Sequence, residues 1–153
     1  MDSTGFFHLD ESRWPLAVFE MYGEPSDAQH AAYLDVMEGY ALNAQAHLII
    51  TDLSRAGVLT TRQRRYHAEW ALKNEPLLRE TLLGSVYVMN SPFQRLCLNV
   101  IFSLKPPQYP HLVVSHLESA LLWAAERFEA ANLRETAACV REHPALRRAA
   151  SAG

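Results

Sequence analysis

The sequence has few cysteines, no excess of positive charge and no long hydrophobic run. Its 153 residues include only Cys97 and Cys139, which are too few for a disulfide framework and lie in no CxxC motif. The formal net charge of −3 gives no global attraction for nucleic acid or anionic membrane. No apolar run approaches the ~20 residues that span a bilayer, and acidic residues stand where a secretory signal would carry lysines or arginines. We therefore expect a cytoplasmic protein with no transmembrane segment and no nucleic-acid partner.

Recognisable enzyme and metal motifs are also lacking. The chain contains no GxGxxG, GxxxxGK, GxSxG or HExxH sequence, and none of its seven histidines pairs with Cys, Asp or another His at metal-ligand spacing. An enzyme would have to build its site from Asp52, Thr60, Thr61 and Arg62, with no recognisable base beside them. We expect no catalytic residue, no metal and no cofactor.

The composition, with 49% hydrophobic and 20% charged residues, is that of an ordinary globular domain. Runs rich in Val, Ile, Tyr and Phe predict strands at residues 6–9, 16–23, 47–53, 84–90 and 111–115. The first two can pair as an antiparallel hairpin, and the later ones alternate with helical periods. This order predicts an α/β fold with a single-layer mixed, mainly parallel β-sheet of about five strands flanked by four helices.

Four predicted helix starts carry a capping box, in which a Ser or Thr and a Gln or Glu three residues later satisfy each other's backbone N–H groups. The pairs are Ser26 with Gln29, Thr60 with Gln63, Ser91 with Gln94, and Ser115 with Glu118. The third helix, FQRLCLNVIFSL, is apolar almost all round. We therefore expect it to be buried, with Cys97 as an inert buried thiol.

The C-terminal region offers two interpretations. No Gly or Pro interrupts residues 116–143, and a helix of this length is longer than is needed to cover a short strand. In its second half, Leu133, Ala137 and Val140 form an apolar stripe. We divide the chain into a domain at 1–130 and a C-terminal helical arm with a frayed tail at 131–153. The surplus is either a second helix folded back on the domain or an arm that docks on a partner subunit, in which case it supports a homodimer.

The candidate binding surface runs from the end of the third strand into the second helix. Asp52 ends a buried strand, where α/β folds commonly place ligand sites, although an Asx-type turn is the simpler explanation of this residue. Arg62, Arg64 and Arg65 form a basic first helical turn, which the helix dipole disfavours. They either meet an anion, an acidic partner or a lipid headgroup, or form a solvated face paired with Glu69 and Glu75. The candidate residues are Asp52, Ser54, Thr60, Thr61, Arg62, Arg64 and Arg65.

Three stretches carry a resemblance to a known family: LIITDLS before a helix, GSVYVMN before SPFQR, and the closing SHLESALLWAAERF. In this order they resemble the SpoIIAA-like group of the STAS superfamily, also called STAS/SEC14 domains, over residues 6–128. In anti-sigma-factor antagonists of that fold, a Ser or Thr in the strand-to-helix loop is phosphorylated. The resemblance therefore marks Thr60 and Thr61 as phosphoacceptor candidates. The Asp and Gly that usually flank such a residue are replaced here by Leu59 and by Arg62 or Gln63.

The resemblance implies a non-enzymatic regulatory or protein-interaction module that binds an unknown protein partner through residues 52–65. The alternative is a small apolar-ligand or lipid-binding domain of SEC14-like type. In that alternative, the apolar third helix and the following KPPQYP loop would cover the ligand.

Overall fold

The computed structural model describes residues 6–104 and 106–152, which form five strands and six helices. The strands are β1 (Phe7–Arg13), β2 (Leu16–Gly23), β3 (His47–Ala56), β4 (Leu82–Val88) and β5 (His111–Val114). The helices are α1 (Asp27–Leu42), α2 (Thr61–Thr81), α3 (Pro92–Leu104), α4 (Leu117–Ala130), α5 (Arg134–Arg141) and α6 (Pro144–Ala152).

The strands form one sheet in sequence order, β1-β2-β3-β4-β5. β1 pairs with β2 antiparallel, and β2, β3, β4 and β5 pair in parallel. The predicted mixed, mainly parallel α/β sheet is therefore confirmed. Several boundaries differ from the prediction: β1 extends to Arg13, β4 begins at Leu82, and β3 continues to Ala56, so that Asp52 lies inside the strand.

Helices cover both faces of the sheet. On one face, Leu48, Ile50 and Val86 pack against α4 residues that include the fully buried Leu121 and Phe128. On the other face, Phe19 and Ile49 pack against apolar side chains of α1 and α2. Each central strand is thus buried on both sides, as its nearly continuous apolar sequence predicts.

Two of the four predicted capping boxes are complete. Ser26 and Thr60 each accept a hydrogen bond from the backbone N–H three residues later, and Gln29 and Gln63 reciprocate. At α3, the Ser91 hydroxyl accepts from the Gln94 backbone N–H over 3.4 Å, but the Gln94 side chain turns to the carbonyl of Leu53. The Ser115 prediction is wrong: α4 has His116 at its N-cap without a side-chain bond, and the Ser115 hydroxyl accepts from Arg95 instead.

The expectation that α3 is buried is wrong. Phe93, Leu96 and Val100 are 70%, 60% and 51% exposed, and Cys97 between them is exposed rather than buried. The opposite side of the helix packs inward, where the Phe102 ring lies 5.8 Å from that of Tyr87. The strand and helix pattern places α3 correctly, but a helix at the edge of the sheet has only one face to bury.

The C-terminal region folds back on the same chain. α4 ends at Ala130, and Asn132 takes a left-handed conformation with φ of 63°, a conformation that Asn tolerates and that commonly ends helices. Ala137 and Val140 of α5 are fully buried against the α4 face of the sheet. The apolar stripe of the predicted arm is therefore covered within the chain and does not offer the expected dimer surface.

Residues 144–152, predicted to be frayed, form α6, and Ala145 is buried; Gly153 lies outside the described residues. None of the helices in the described part of the chain combines the length and hydrophobicity that a bilayer span requires.

Candidate functional site

Asp52 lies within β3 rather than at its end. One carboxylate oxygen accepts hydrogen bonds from the Ser54 backbone N–H at 3.0 Å and from the Ser54 hydroxyl at 2.6 Å. This is the local Asx-type arrangement that the sequence offers as the simpler explanation of Asp52. The half-buried carboxylate of Asp52 is thus held by Ser54, two residues later in the chain.

A second carboxylate stands beside Asp52 across the sheet. Glu20 of β2 is the register partner of Asp52, and its carboxylate accepts from the Tyr22 hydroxyl at 2.6 Å. This hydrogen bond raises the pKa of Tyr22, and the Arg55 guanidinium lies 6.0 Å from the centre of the Tyr22 ring. Together these side chains border a shallow hollow of about 160 Å³. Two neighbouring carboxylates next to one arginine make the hollow polar and mainly acidic.

The start of α2 is rigidly built. The Thr60 hydroxyl accepts from the Gln63 backbone N–H at 3.1 Å, and the Gln63 side chain accepts from the Thr60 backbone N–H at 3.1 Å. The buried Gln63 amide also donates to the Pro25 carbonyl at 2.9 Å and to the Asp27 carboxylate at 3.0 Å. Because Pro25 and Asp27 flank the N-cap of α1, Gln63 joins the starts of the two helices.

Three exposed arginines project from this fixed helix start. Arg64 turns back and donates to the Leu59 carbonyl at 2.6 Å and to the Thr61 hydroxyl at 3.1 Å. Arg62 stands 3.9 Å from Asp27, with both side chains largely exposed. Within the described residues, neither Glu69 nor Glu75 forms an ion pair with these arginines. The alternative of a face paired with those glutamates is therefore wrong, and the positive charge is mostly directed to solvent.

A groove of about 390 Å³ runs between the starts of α1 and α2. Arg62, Arg65 and Tyr66 border it from α2, and Asp27 and the buried His30 border it from α1. His30 Nε2 lies 3.3 Å from His67 Nδ1, so a single shared hydrogen links the two helices behind the groove. Burial lowers the pKa of His30, and burial together with His30 lowers the pKa of His67 to about 4. Both rings are therefore neutral near pH 7.

The predicted site residues fall into two groups. Thr60, Thr61 and the three arginines come together at the start of α2. Asp52 and Ser54 border the separate acidic hollow on the sheet. Sequence reasoning missed Gln63 as a link between helices, since a capping box predicts only its local bonds. It also missed Glu20, although its place near the end of a strand next to β3 could have suggested it.

The described side chains include no cluster of three or more His, Cys, Asp or Glu that could hold a metal ion. The chemistry that they offer is recognition by charge and hydrogen bonding: an exposed cationic surface at the start of α2 and an acidic hollow on the sheet.

Comparison with known proteins supports the fold. No protein-family model matches the chain, and no curated protein is significantly similar to it. Among solved structures, it is similar to an uncharacterised protein of the DUF3478 family with a SpoIIAA-like fold from Shewanella loihica PV-4. The TM-score is 0.59 at 12% identity, covering 77% of this chain and 91% of that chain.

An anti-sigma factor antagonist from Mycobacterium paratuberculosis also matches, with a TM-score of 0.49 and 17% identity over 77% of this chain and 92% of that chain. The similarity to the first of these structures confirms the resemblance at the level of the fold: the chain has a SpoIIAA-like fold.

Proposed function

We propose that this protein is a non-enzymatic interaction module of STAS type that binds a partner protein through residues 52–65. The observation that carries this proposal is the pre-organised, exposed cluster of Arg62, Arg64 and Arg65 on a helix start fixed by Gln63. Because the backbone of this helix start is already fixed, binding does not have to order it, which favours recognition. Three arginines fit a partner surface that presents carboxylates or phosphates.

The arrangement also supports Thr61 over Thr60 as the modifiable residue. The Thr60 hydroxyl is used by the helix cap, whereas the exposed Thr61 hydroxyl only accepts a bond from Arg64. A phosphate on Thr61 would lie at the positive end of α2 beside Arg64, where both the dipole and the guanidinium stabilise it. It would also cancel about two of the three positive charges that the surface presents to an acidic partner.

The test is quantitative affinity capture from extracts of the host with three immobilised proteins: the wild type, an Arg62→Ala/Arg64→Ala/Arg65→Ala variant, and a charge-matched control. The control, Arg79→Ala/Arg134→Ala/Arg148→Ala, removes three arginines that are also exposed but lie elsewhere. We expect a protein that the wild type and the control retain equally and the first variant loses at least about tenfold, as removal of several charge-assisted contacts would cause. Equal retention by all three proteins would contradict the proposal.

The alternative function, binding of a small apolar ligand or lipid, is favoured by one observation: the apolar outer face of α3 is exposed. Neither of the two hollows described above is bordered by α3. Native mass spectrometry of protein purified gently from its host tests this alternative. An organic adduct that is lost on delipidation would support it, and an adduct-free protein without affinity for lipid vesicles would remove it.

A further inference from the structure

The outer face of α3 carries a continuous apolar stripe made of Phe93, Leu96, Cys97 and Val100. These residues stand at positions i, i+3, i+4 and i+7 and therefore share one side of the helix over two turns, about 10 Å. All four are exposed. Single exposed apolar residues are common, but an aligned group on one helix is typical of a surface that another surface covers.

The orientation of the stripe is fixed by the inner side of α3. The Phe102 ring lies 4.9 Å from that of His111, and Arg95 donates to the Met89 carbonyl at 3.2 Å and to the Ser115 hydroxyl at 2.9 Å. Phe102 and Arg95 lie opposite Phe93 on the helical wheel. A rotation that buried the stripe within the same chain would break these contacts, so the stripe stays available to another molecule.

The charges around the stripe favour a second copy of this chain over a membrane. Helices that bind membrane surfaces carry lysines and arginines beside their apolar face. The described polar side chains next to this stripe, Gln94, Asn99 and Ser103, are neutral, and Arg95 is turned inward. The sequence has no acidic residue between Glu80 and Glu118. Two copies of this stripe can therefore meet without repulsion and without burying a charge.

The area of the stripe sets the strength of the contact. The exposed parts of its side chains amount to on the order of 300 Å² per copy, the size of a large apolar patch on a monomer. A stable complex buries about 800 Å² on each partner. We infer that the α3 stripe is the contact surface of a reversible homodimer, in which α3 of one copy packs against α3 of a second copy and the monomer dominates in dilute solution.

Sedimentation velocity between about 5 µM and 500 µM, a range that brackets a weak dimer, tests this inference. The wild type should shift from monomer to dimer. Leu96→Glu should weaken the association at least about tenfold, because it places two like charges in the contact. The matched control is Leu122→Glu on α4, where the leucine is 51% exposed on the other face of the sheet; it should associate like the wild type.

The two exposed cysteines give a second test, which places no charge in the contact. A short bis-maleimide should link two Cys97 thiols across the contact, with each thiol adding to one maleimide double bond. Cys139→Ser should cross-link like the wild type, and Cys97→Ser should not, since Cys139 lies on α5.

A wild type that remains monomeric over the whole range, equal association of both leucine variants, or cross-linking through Cys139 would each overturn the inference. A monomer that binds neutral lipid vesicles through α3 would overturn it in favour of the lipid-binding alternative.

Discussion

Replacing Gln63 with alanine separates the two structural functions of this side chain. As part of the capping box, Gln63 accepts a hydrogen bond from the Thr60 backbone N–H. As a link between helices, its amide donates to the Pro25 carbonyl and the Asp27 carboxylate. The side chain is only 4% exposed, so water does not readily replace these partners. The variant should therefore lose more stability than a capping residue alone would account for.

The size of the loss follows from the contacts. A single capping bond contributes about 0.5–1.5 kcal/mol to the free energy of unfolding. The carbonyl of the buried Pro25 would lose its partner, which costs a further ~1–3 kcal/mol. We expect Gln63→Ala to lower the free energy of unfolding by roughly 2–4 kcal/mol.

Gln29→Ala is the matched control, because Gln29 makes the same capping bond to the Ser26 backbone N–H at α1 without the link to a second helix. Gln29→Ala should lower the free energy of unfolding by only about 0.5–1.5 kcal/mol. Urea unfolding of both variants, followed by far-UV circular dichroism, measures the difference. If the two variants lose equal stability, Gln63 does not join α1 to α2, and the rigidity proposed for the arginine surface has no such basis.

Two further predictions concern close packing and titration. A Cβ on Gly84 would lie 2.6 Å from the Trp123 ring, so Gly84→Ala should destabilise the fold by about 1–3 kcal/mol. In contrast, Gly39→Ala in α1, where the added carbon has no described atom within 4 Å beyond the adjacent residues and backbone of its own helix, should stabilise the fold by about 0.5–1 kcal/mol. A thermal melt in which both variants shift the same way would refute this contrast. Because the pKa of His67 is lowered from 6.5 to about 4, the unfolded chain takes up a proton there at higher pH than the folded protein. The free energy of unfolding should therefore fall by roughly 2–3 kcal/mol as the pH drops from 6.5 towards 4, because of the protonation of His67. Urea unfolding at both ends of that range measures the loss, and a His67→Gln variant that loses as much stability would count against it.

The parts of the fold that depend on local pattern could be predicted from the sequence. The five strands and the caps at Ser26 and Thr60 depend on interactions between residues that are close in sequence. The strands are indicated by the alternation of strand and helix periods, and the caps by side chains that bond the start of their own helix. The order of the strands in the sheet, β1-β2-β3-β4-β5, is known only from the structure, because parallel strands joined by helices can be arranged in more than one order.

The errors occur where the neighbours of a residue are distant in sequence. Ser115 has a capping-box pattern, but its hydroxyl accepts a hydrogen bond from Arg95, which lies twenty residues earlier in the chain. Cys97 lies in an apolar helix, yet burial depends on what covers the helix, and the edge of the sheet leaves one side of α3 uncovered. The break at Asn132 carries neither Gly nor Pro, because Asn also tolerates a positive φ.

The site shows the same limit. The arginines of α2 could be identified as an anomaly against the helix dipole, but the pairing of Arg62 with Asp27 rather than with Glu69 depends on how α1 packs beside α2. The partnership of Glu20 with Asp52 likewise depends on strand register, which the sequence of one strand does not contain.

Hydrogen–deuterium exchange on the complex with the captured partner tests the central claim most directly. The proposal predicts that binding slows exchange in peptides covering residues 52–65, while peptides from α4, α5 and α6 on the opposite face of the sheet exchange as in the free protein. Protection confined to that opposite face, with unchanged exchange at the start of α2, would contradict it.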